Sequence, residues 1–398
     1  MNNFDGVIIG GGACGLMCAV QAGYLGKRTL VLEKNEKVGA KILISGGGRC
    51  NYTNLYADSS NFISENQHFS KSAFSRWTVD DTISFFETYG ISGKEKTLGQ
   101  LFPVSNNARD VVKVFESLCD EMGQEIVCAA EVISVEQLKE GGFRVSYEHN
   151  GKIKEVITPK VVIASGGLPI QKMGASDFGL RIARQFGLRL TQTAPALVPL
   201  TITGKDADWY AQLSGNSVFC RVSNEKISFE ENILFTHWGL SGPAILQISS
   251  YWKPGESINI DLLPKENISE LINRERQQNG RKLFFNLLAE LYTRKFAEAL
   301  GVYLSVNKNL ASLTKEDIQK AESLIHEFKI KPAGDKGYDK AEVMRGGVAT
   351  DELSSKTLEA KKVKGLYFGG ECVDVTGWLG GYNFQWAWAS GYIIAQEL

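Results

Sequence analysis

An α/β fold built on a parallel sheet, interrupted first by a β-rich and then by a helical insertion, is what this 398-residue sequence predicts. Three observations predict it. The chain opens on a short apolar strand, a glycine turn, a helix of small residues and a second strand, all within residues 4–33. It closes on another strand (365–371), a second glycine-rich turn and a last apolar helix (382–398). Between these ends, after about Thr193, the periodicity becomes that of antiparallel strands and then, over 265–331, that of helices buried on one side.

The elements read in order as follows. Residues 4–9 form a strand, 13–25 a helix, and 29–32 a strand that ends at Glu33. Helical patterns follow near 72–89 and 108–122, then β-like runs at 125–135, 142–149 and 152–157. The run 160–164 reads as a buried strand leading into Ser165, Gly166 and Gly167. Alternation at 197–203, 217–223, 226–229 and 257–262 marks the β-rich insertion. Leu271, Leu283, Leu287, Leu288, Leu291, Leu300 and Leu324 are spaced for one-sided helical burial, and strand character returns at 343–350. The expected domains are 1–193 with 338–398, a β-barrel-like domain at 194–264 with a return segment near 332–345, and a helical domain at 265–331.

Composition narrows the function classes. With 43% hydrophobic and 22% charged residues and a net charge of −1, the chain has no global attraction to nucleic acid or anionic membrane, although a local basic patch stays open. Seven cysteines without a CxxC pair argue against a disulfide framework and against a zinc site, and no other metal-ligand spacing appears. No apolar run is long enough for a membrane span, and a strand starting at Phe4 leaves no room for a signal peptide, so a cytoplasmic location is expected.

The chemistry begins at Gly10-Gly11-Gly12-Ala13-Cys14-Gly15, a G-x-G-x-x-G placed between a strand and a helix. Gly10 permits the tight turn, Gly12 lets the main chain approach a pyrophosphate, and Gly15 lets helix and strand pack closely. The helix start offers free N–H groups and a partial positive charge. Glu33 stands eighteen residues beyond Gly15, where a carboxylate can bind ribose hydroxyls and disfavours the extra phosphate of NADP. This order is that of a Rossmann-type dinucleotide site. Cys18, four residues after Cys14 on the same helix, reads as a packing residue.

The other end of the chain decides between NAD and FAD. Gly369-Gly370-Glu371 with Asp374, then Gly380-Gly381-Tyr382-Asn383 opening the last helix, resembles the C-terminal segment of flavoproteins that bind FAD with both chain ends. Such a helix aims its N-terminus at the flavin ring and stabilises negative charge there. Between the ends lies a run from Lys41 through Ser45, Gly46, Gly47, Gly48, Arg49, Cys50, Asn51 and Thr53 to Asn54. Its three glycines suit a main chain lying against a flat ligand.

At this run the resemblance becomes specific. The sequence resembles the HI0933-like family of bacterial flavoproteins, which shares SGGGRCNxTN (here 45–54), FTHxGLSGPA (235–244) and GGYNFQWA (380–387). Further matches are Gly174–Gly179 and Arg345–Val348, so the likeness runs in one order along nearly the whole chain. It implies an FAD-binding domain, a β-barrel-like domain and a helical domain. It also implies FAD ligands at Gly10, Gly12, Ala13, Cys14, Gly15, Glu33, Lys34, Lys41, Ser45, Gly46, Gly47, Gly48, Arg49, Asn51, Val132, Ser165, Gly166, Gly370, Glu371, Asp374, Gly380, Gly381, Tyr382 and Asn383. Family members are described as NAD(P)H-utilising flavin dehydrogenases, reductases of conjugated C=C bonds in steroid-like acids, aminoacetone oxidases and ribosomal RNA dihydrouridine synthases. Leu98–Phe102 and Thr376–Gly381 are most similar to the last branch.

For reduction of an activated alkene such as uracil C5=C6, hydride comes from flavin N5 and a protein acid protonates the neighbouring carbon. Cys50 is the first candidate acid, since a thiol of ordinary pKa is protonated at neutral pH; a neighbouring Arg49 would work against this by favouring thiolate. His237, among Phe235, Trp238 and Leu240, is the second. For an RNA partner, ribosomal RNA in particular, the segment 273–315 supplies eight basic residues (Arg274, Arg276, Arg281, Lys282, Arg294, Lys295, Lys308, Lys315) against three acidic ones, with aromatics between. It reads equally as a solvated helix face. A second G-x-G-x-x-G is absent, so NAD(P)H is expected as a transient electron donor, with delivery by another protein left open. A non-enzymatic FAD-binding partner of RNA also stays open, as does the oligomeric state.

Overall fold

The computed structural model describes residues 4–306 and 308–398; residues 1–3, at the start of the first expected domain, and 307, within the basic segment 273–315, lie outside the described residues. The chain divides into two compact units, Met1–Ala194 with Val343–Leu398, and Pro195–Glu342.

The first unit is organised by a five-stranded parallel sheet. Strand β1 (Gly6–Ile9) pairs with β2 (Thr29–Leu32) on one side and with Val161–Ile163 on the other. Leu366–Phe368 and Glu125–Val127 form the edges, giving the spatial order Leu366–Phe368, Val161–Ile163, β1, β2, Glu125–Val127. Every residue of β1 and β2 is buried, as expected for parallel strands covered on both faces. Helix α1 (Ala13–Tyr24) covers one face, and the last helix, Tyr382–Ala395, lies against it. Their approach is close: a Cβ at Gly391 would stand 2.4 Å from the Cys14 carbonyl oxygen. Fully buried Met17, Cys18, Ile393 and Ile394 fill the seam, each worth roughly 1.5–3 kcal/mol of burial. The first and last helices of the chain are therefore neighbours.

Several expected elements are subdivided, for local reasons. The helical run 72–89 is two helices, Lys71–Arg76 and Val79–Thr88, because Thr78 and Asp81 make a capping box that starts the second one. The β-like run 125–135 breaks at Ala129, whose φ is +48°. Strand character at 343–350 ends at Arg345, since Gly346 and Gly347 take φ of +79° and +151°. The polar glycine run is helical at its start: α2 spans Ala40–Gly48 and unwinds at Ser45.

The second unit is a seven-stranded antiparallel sheet in the order Phe328–Ile330, Ile258–Asp261, Ser217–Ser223, Ser228–Thr236, Gly239–Ser241, Leu200–Thr201, Gly334–Asp335. Helices Ile268–Asn279, Phe284–Leu291, Arg294–Leu304 and Lys315–His326 belong to the same unit. Among the described residues, no helix is long and apolar enough to cross a membrane.

Candidate active site

The phosphate turn has the geometry its sequence demands. Gly10 takes φ of +112°, and a Cβ there would meet the Ala164 carbonyl oxygen at 2.4 Å; a Cβ on Gly15 would meet the Gly10 carbonyl oxygen at 1.9 Å. Nothing lies within 4 Å of a Cβ on Gly12, so the space facing the turn is open. No side chain caps α1 and no acidic residue sits in its first turn, which leaves its N–H groups of Ala13, Cys14 and Gly15 and the helix dipole for an anion. Glu33 is buried, with one carboxylate oxygen accepting from the Gly11 N–H at 2.8 Å and the other from the Asn35 N–H at 2.8 Å. Each oxygen keeps a further lone pair, so the carboxylate can accept from another hydroxyl. Ala130, two residues before Val132, donates its N–H to the Glu33 carbonyl at 2.9 Å, so that strand flanks the same end. Lys34 is exposed.

A second group forms on the neighbouring strand ends. The Ser165 hydroxyl, just beyond Val161–Ile163, is buried without a hydrogen-bond partner, and Gly166 follows it at φ of +74°. Lys41 Nζ of α2 stands 2.6 Å from Glu371 Oε2, while Glu371 Oε1 accepts from the Met344 N–H at 3.0 Å. Gly370 holds its position through the Ser390 hydroxyl, which accepts the Gly370 N–H at 3.0 Å, and through Trp386, whose indole N–H donates to the Gly370 carbonyl at 2.9 Å. Asp374 is buried and accepts from the Glu65 N–H at 3.0 Å; burial raises its carboxyl above the usual range.

The third group is the unwound end of α2 against the last helix. Gly46, Gly47, Gly48 and then Cys50 all have positive φ. Asn51 Oδ1 is buried with no partner and lies beside Gly381, where a Cβ would meet it at 2.8 Å. Gly381 begins the last helix, which likewise has no side-chain cap and no acidic residue in its first turn. Asn383 turns away from that opening: its amide donates to the Gly377 and Trp378 carbonyls at 2.9 and 3.2 Å. Tyr382 is buried. Gln385, which the sequence reading passed over, is fully buried; its oxygen accepts from Thr53 and Thr82 at 2.7 and 2.9 Å, and its nitrogen donates to the Trp77 and Thr78 carbonyls. The only signal for it was its place inside the C-terminal motif.

The two candidate acids stand differently. Cys50 is 0% exposed, and burial pushes its thiol up to about 12, with a hydrogen bond to Ser45 pulling slightly the other way. Ser45 itself donates to the Ile42 carbonyl at 2.8 Å. Because the folded-state value lies above the ordinary 9.0, the stability gained from the protonated thiol is complete below about pH 9 and is lost as pH climbs toward 12. His237 belongs to the second unit, exposed in the turn between Ser228–Thr236 and Gly239–Ser241, its ring edge-on to Trp238 at 4.1 Å.

FAD fits the first unit on these observations: two uncapped helix starts for anionic groups, open space over Gly12, and two buried polar atoms, on Ser165 and Asn51, that the protein leaves unpartnered. Ser165→Ala removes no bond that the protein makes for itself. The FAD-free protein should therefore keep its melting temperature, while FAD affinity falls by up to about tenfold, the worth of a hydrogen bond of about 1.4 kcal/mol; titration by flavin fluorescence checks both halves.

A parallel sheet with a phosphate turn at one end of the chain and a second helix start at the other is the build of a flavoprotein oxidoreductase, and this chain is an enzyme of that class. Within it the family can be stated: the profile of the HI0933-like protein Rossmann domain matches residues 4–397, and the chain belongs to that family. It is 44% identical over 400 residues to the ribosomal RNA dihydrouridine synthase of Escherichia coli (strain K12), covering 100% of this chain and 98% of that protein. The ribosomal RNA dihydrouridine synthase of Haemophilus influenzae is 41% identical, with coverage of 99% and 98%. A 3-dehydro-bile acid delta(4,6)-reductase of Clostridium scindens is 29% identical, with coverage of 98% and 97%. Among solved structures, 3-ketosteroid-delta4-(5alpha)-dehydrogenase from Rhodococcus jostii RHA1 shares the fold, at a TM-score of 0.53, 11% identity and coverage of 99% and 97%.

Proposed function

We propose that this enzyme uses FAD to reduce the C5=C6 bond of uridine in large-subunit ribosomal RNA, giving dihydrouridine. The observation that carries the substrate is the 44% identity, end to end, with a protein named for that reaction. The 29% identical bile-acid reductase supports the chemistry, since its name also describes C=C reduction, and it favours a small-molecule enone as the second reading.

When bound, the flavin supplies a hydride to the electrophilic carbon. The chain does the rest. The uncapped starts of α1 and of the last helix would hold the anionic pyrophosphate and the electron-rich end of the ring, and Glu33 would orient the ribose. Lys41, paired with Glu371, keeps a cation beside the phosphate-facing strand ends. Cys50 is the proton donor to the adjacent carbon, held as a neutral thiol by burial. Because the thiol is fully buried, donation requires part of its surroundings to open. Reduced nicotinamide, NAD(P)H, reaches the flavin face transiently as electron donor. His237 is the alternative donor of the proton.

Deleting the gene and mapping dihydrouridine in the large-subunit RNA tests the substrate; loss of a modified position is expected, and an unchanged profile overturns it. Complementation with Cys50→Ala should leave FAD bound and reducible yet slow RNA reduction about a hundredfold or more. Below about pH 9, where the raised thiol stays protonated, loss of the Cys50 proton should not lower the wild-type rate. Full turnover by Cys50→Ala would transfer the role to another group, His237 first.

A further inference from the structure

The basic segment 273–315 is largely neutralised by its own neighbours. Lys282 pairs with Glu275 and Glu290, Arg274 with Glu266, Arg294 with Glu298, and Lys308 with Asp317. Arg276 spends its guanidinium on the Leu310 and Leu313 carbonyls. Only Arg281, Lys295 and Lys315 of the eight lack such a carboxylate or carbonyl partner among the described residues. A different set of cations, in the first unit, makes no ion pair among the described residues.

A small sheet, Thr53–Asn54 with the hairpin Gly93–Glu95 and Gln100–Pro103, borders the unwound end of α2. Lys94 and Phe102 are cross-strand partners, so they share a face, and Lys96 two residues on returns to it. Lys96 Nζ lies 4.2 Å from the centre of the Phe102 ring, and the Arg49 guanidinium carbon 5.3 Å from it. Arg49 has a hydrogen bond to the Gly46 carbonyl, and none of the three cations makes an ion pair among the described residues. Local desolvation first, and then the charges of Arg49 and Lys94, hold the Lys96 amine below its usual value, so the three sit close enough to repel.

Apolar side chains are exposed beside the same small sheet, Tyr56 just after Thr53–Asn54 and Leu98 in the turn of the hairpin. Tyr56 is 64% exposed and Leu98 57%, and a Cβ on Gly99 would touch the Tyr56 ring at 2.6 Å. The loop is tied to the candidate site through one side chain: the Asn54 amide donates both to the Leu98 carbonyl at 3.0 Å and to the Gly380 carbonyl, at the entrance to the last helix, at 2.8 Å. Gln100 packs on Gly380 as well, 2.9 Å from where its Cβ would be.

We propose that Arg49, Lys94 and Lys96 around Phe102, with Tyr56 and Leu98 beside them, form a lip that grips single-stranded RNA next to the base being reduced. Unpaired cations bind phosphates without first breaking an internal ion pair, and an exposed phenol ring offers a stacking platform for an unpaired base. The lip rests on the reading of this enzyme as an RNA reductase. A reduced nicotinamide dinucleotide, also polyanionic, is the competing occupant; the exposed ring and leucine beside the cations favour the longer ligand.

The test uses the full FAD-loaded protein carrying Lys94→Gln with Lys96→Gln, and separately Tyr56→Ala. The probe is a single-stranded RNA of about 12 nucleotides containing uridine. Removing two phosphate contacts should make the dependence of log affinity on log salt shallower by about 1.4, at about 0.7 per contact. Tyr56→Ala should weaken binding about fivefold or more with little change in that slope. FAD content and the rate of flavin reduction by NADPH should not move, and Lys94→Arg with Lys96→Arg should restore the slope. Unchanged RNA binding overturns the lip, as does a raised KM for NADPH with RNA binding intact or a loss of FAD. If deletion of the gene removes a dihydrouridine but the glutamine variant restores it fully, the lip fails while the substrate assignment stands. If deletion changes nothing in the RNA, the substrate assignment itself is what fails.

Discussion

Gly15→Val is expected to give a protein that no longer retains FAD and melts well below the wild type. The Cβ alone would stand 1.9 Å from the Gly10 carbonyl oxygen and 3.2 Å from Ile8 Cγ2, and the first of these is backbone that no rotamer change can relieve. Relief requires α1 to move off β1, which displaces the N–H groups of Ala13 and Cys14 from the phosphate position. Overpacking of this kind costs about 1–3 kcal/mol or more, a large part of a domain's stability of roughly 5–15 kcal/mol. Thermal melts with and without added FAD, together with the flavin-to-protein absorbance ratio, measure both effects. A variant that purifies yellow, with a wild-type melting temperature, would contradict this account of the turn.

Gln385→Leu should be as damaging to stability, by a different route. The side chain joins the last helix to Thr53, to Thr82 and to the Trp77 and Thr78 carbonyls, all in one buried place. Leucine fills similar volume but takes the side-chain partner from the Thr53 hydroxyl and the Trp77 carbonyl, at about 1–3 kcal/mol for each that finds no substitute, while Thr82 keeps its bonds to the Trp77 indole and the Thr78 carbonyl. Denaturant unfolding should show a lower midpoint, corresponding to a loss of about 2–6 kcal/mol in unfolding free energy. Because Thr53 leads directly to Asn54 and Gly380, FAD should also bind more weakly than in an equally destabilised surface variant. Gln385→Glu, which keeps the acceptor oxygen but buries a carboxyl, should recover part of the stability at low pH, where the carboxyl is neutral, and lose it as pH rises.

The parts of the molecule legible in the sequence are those in which geometry restricts residue type. Gly10 and Gly15 announce the phosphate turn because no other residue fits beside Ala164 or the Gly10 carbonyl. Glu33 follows because a strand of four buried residues has to end at the same height as the turn. The break between Lys71–Arg76 and Val79–Thr88 was readable in principle, since Thr78 and Asp81 stand at capping-box spacing inside what otherwise looks like one helix. Other features depend on partners distant in sequence. Gln385 looks like any polar residue in a helix until Thr53 and Thr82 are brought to it. Counting charges over 273–315 could not reveal that Glu266 and Asp317, from outside the segment, spend two of its cations. Likewise Lys94 and Lys96 attract no notice in the sequence, and acquire meaning only once Phe102 and Arg49 are folded against them.

The packing of the last helix on the first has a consequence for how the enzyme is made. Ala13–Tyr24 is synthesised long before Trp386, Ser390 and Gly391: Cys14 and the Ser390 hydroxyl that meets it are 376 residues apart. Until the later residues are made, Gly370 lacks its contacts to Ser390 and Trp386, and Ala13–Tyr24 lacks the helix that packs against it, so a nascent chain holds an incomplete cofactor cradle beside an apolar helix face. Acquisition of the coenzyme is thereby postponed until Tyr382–Ala395 has been made.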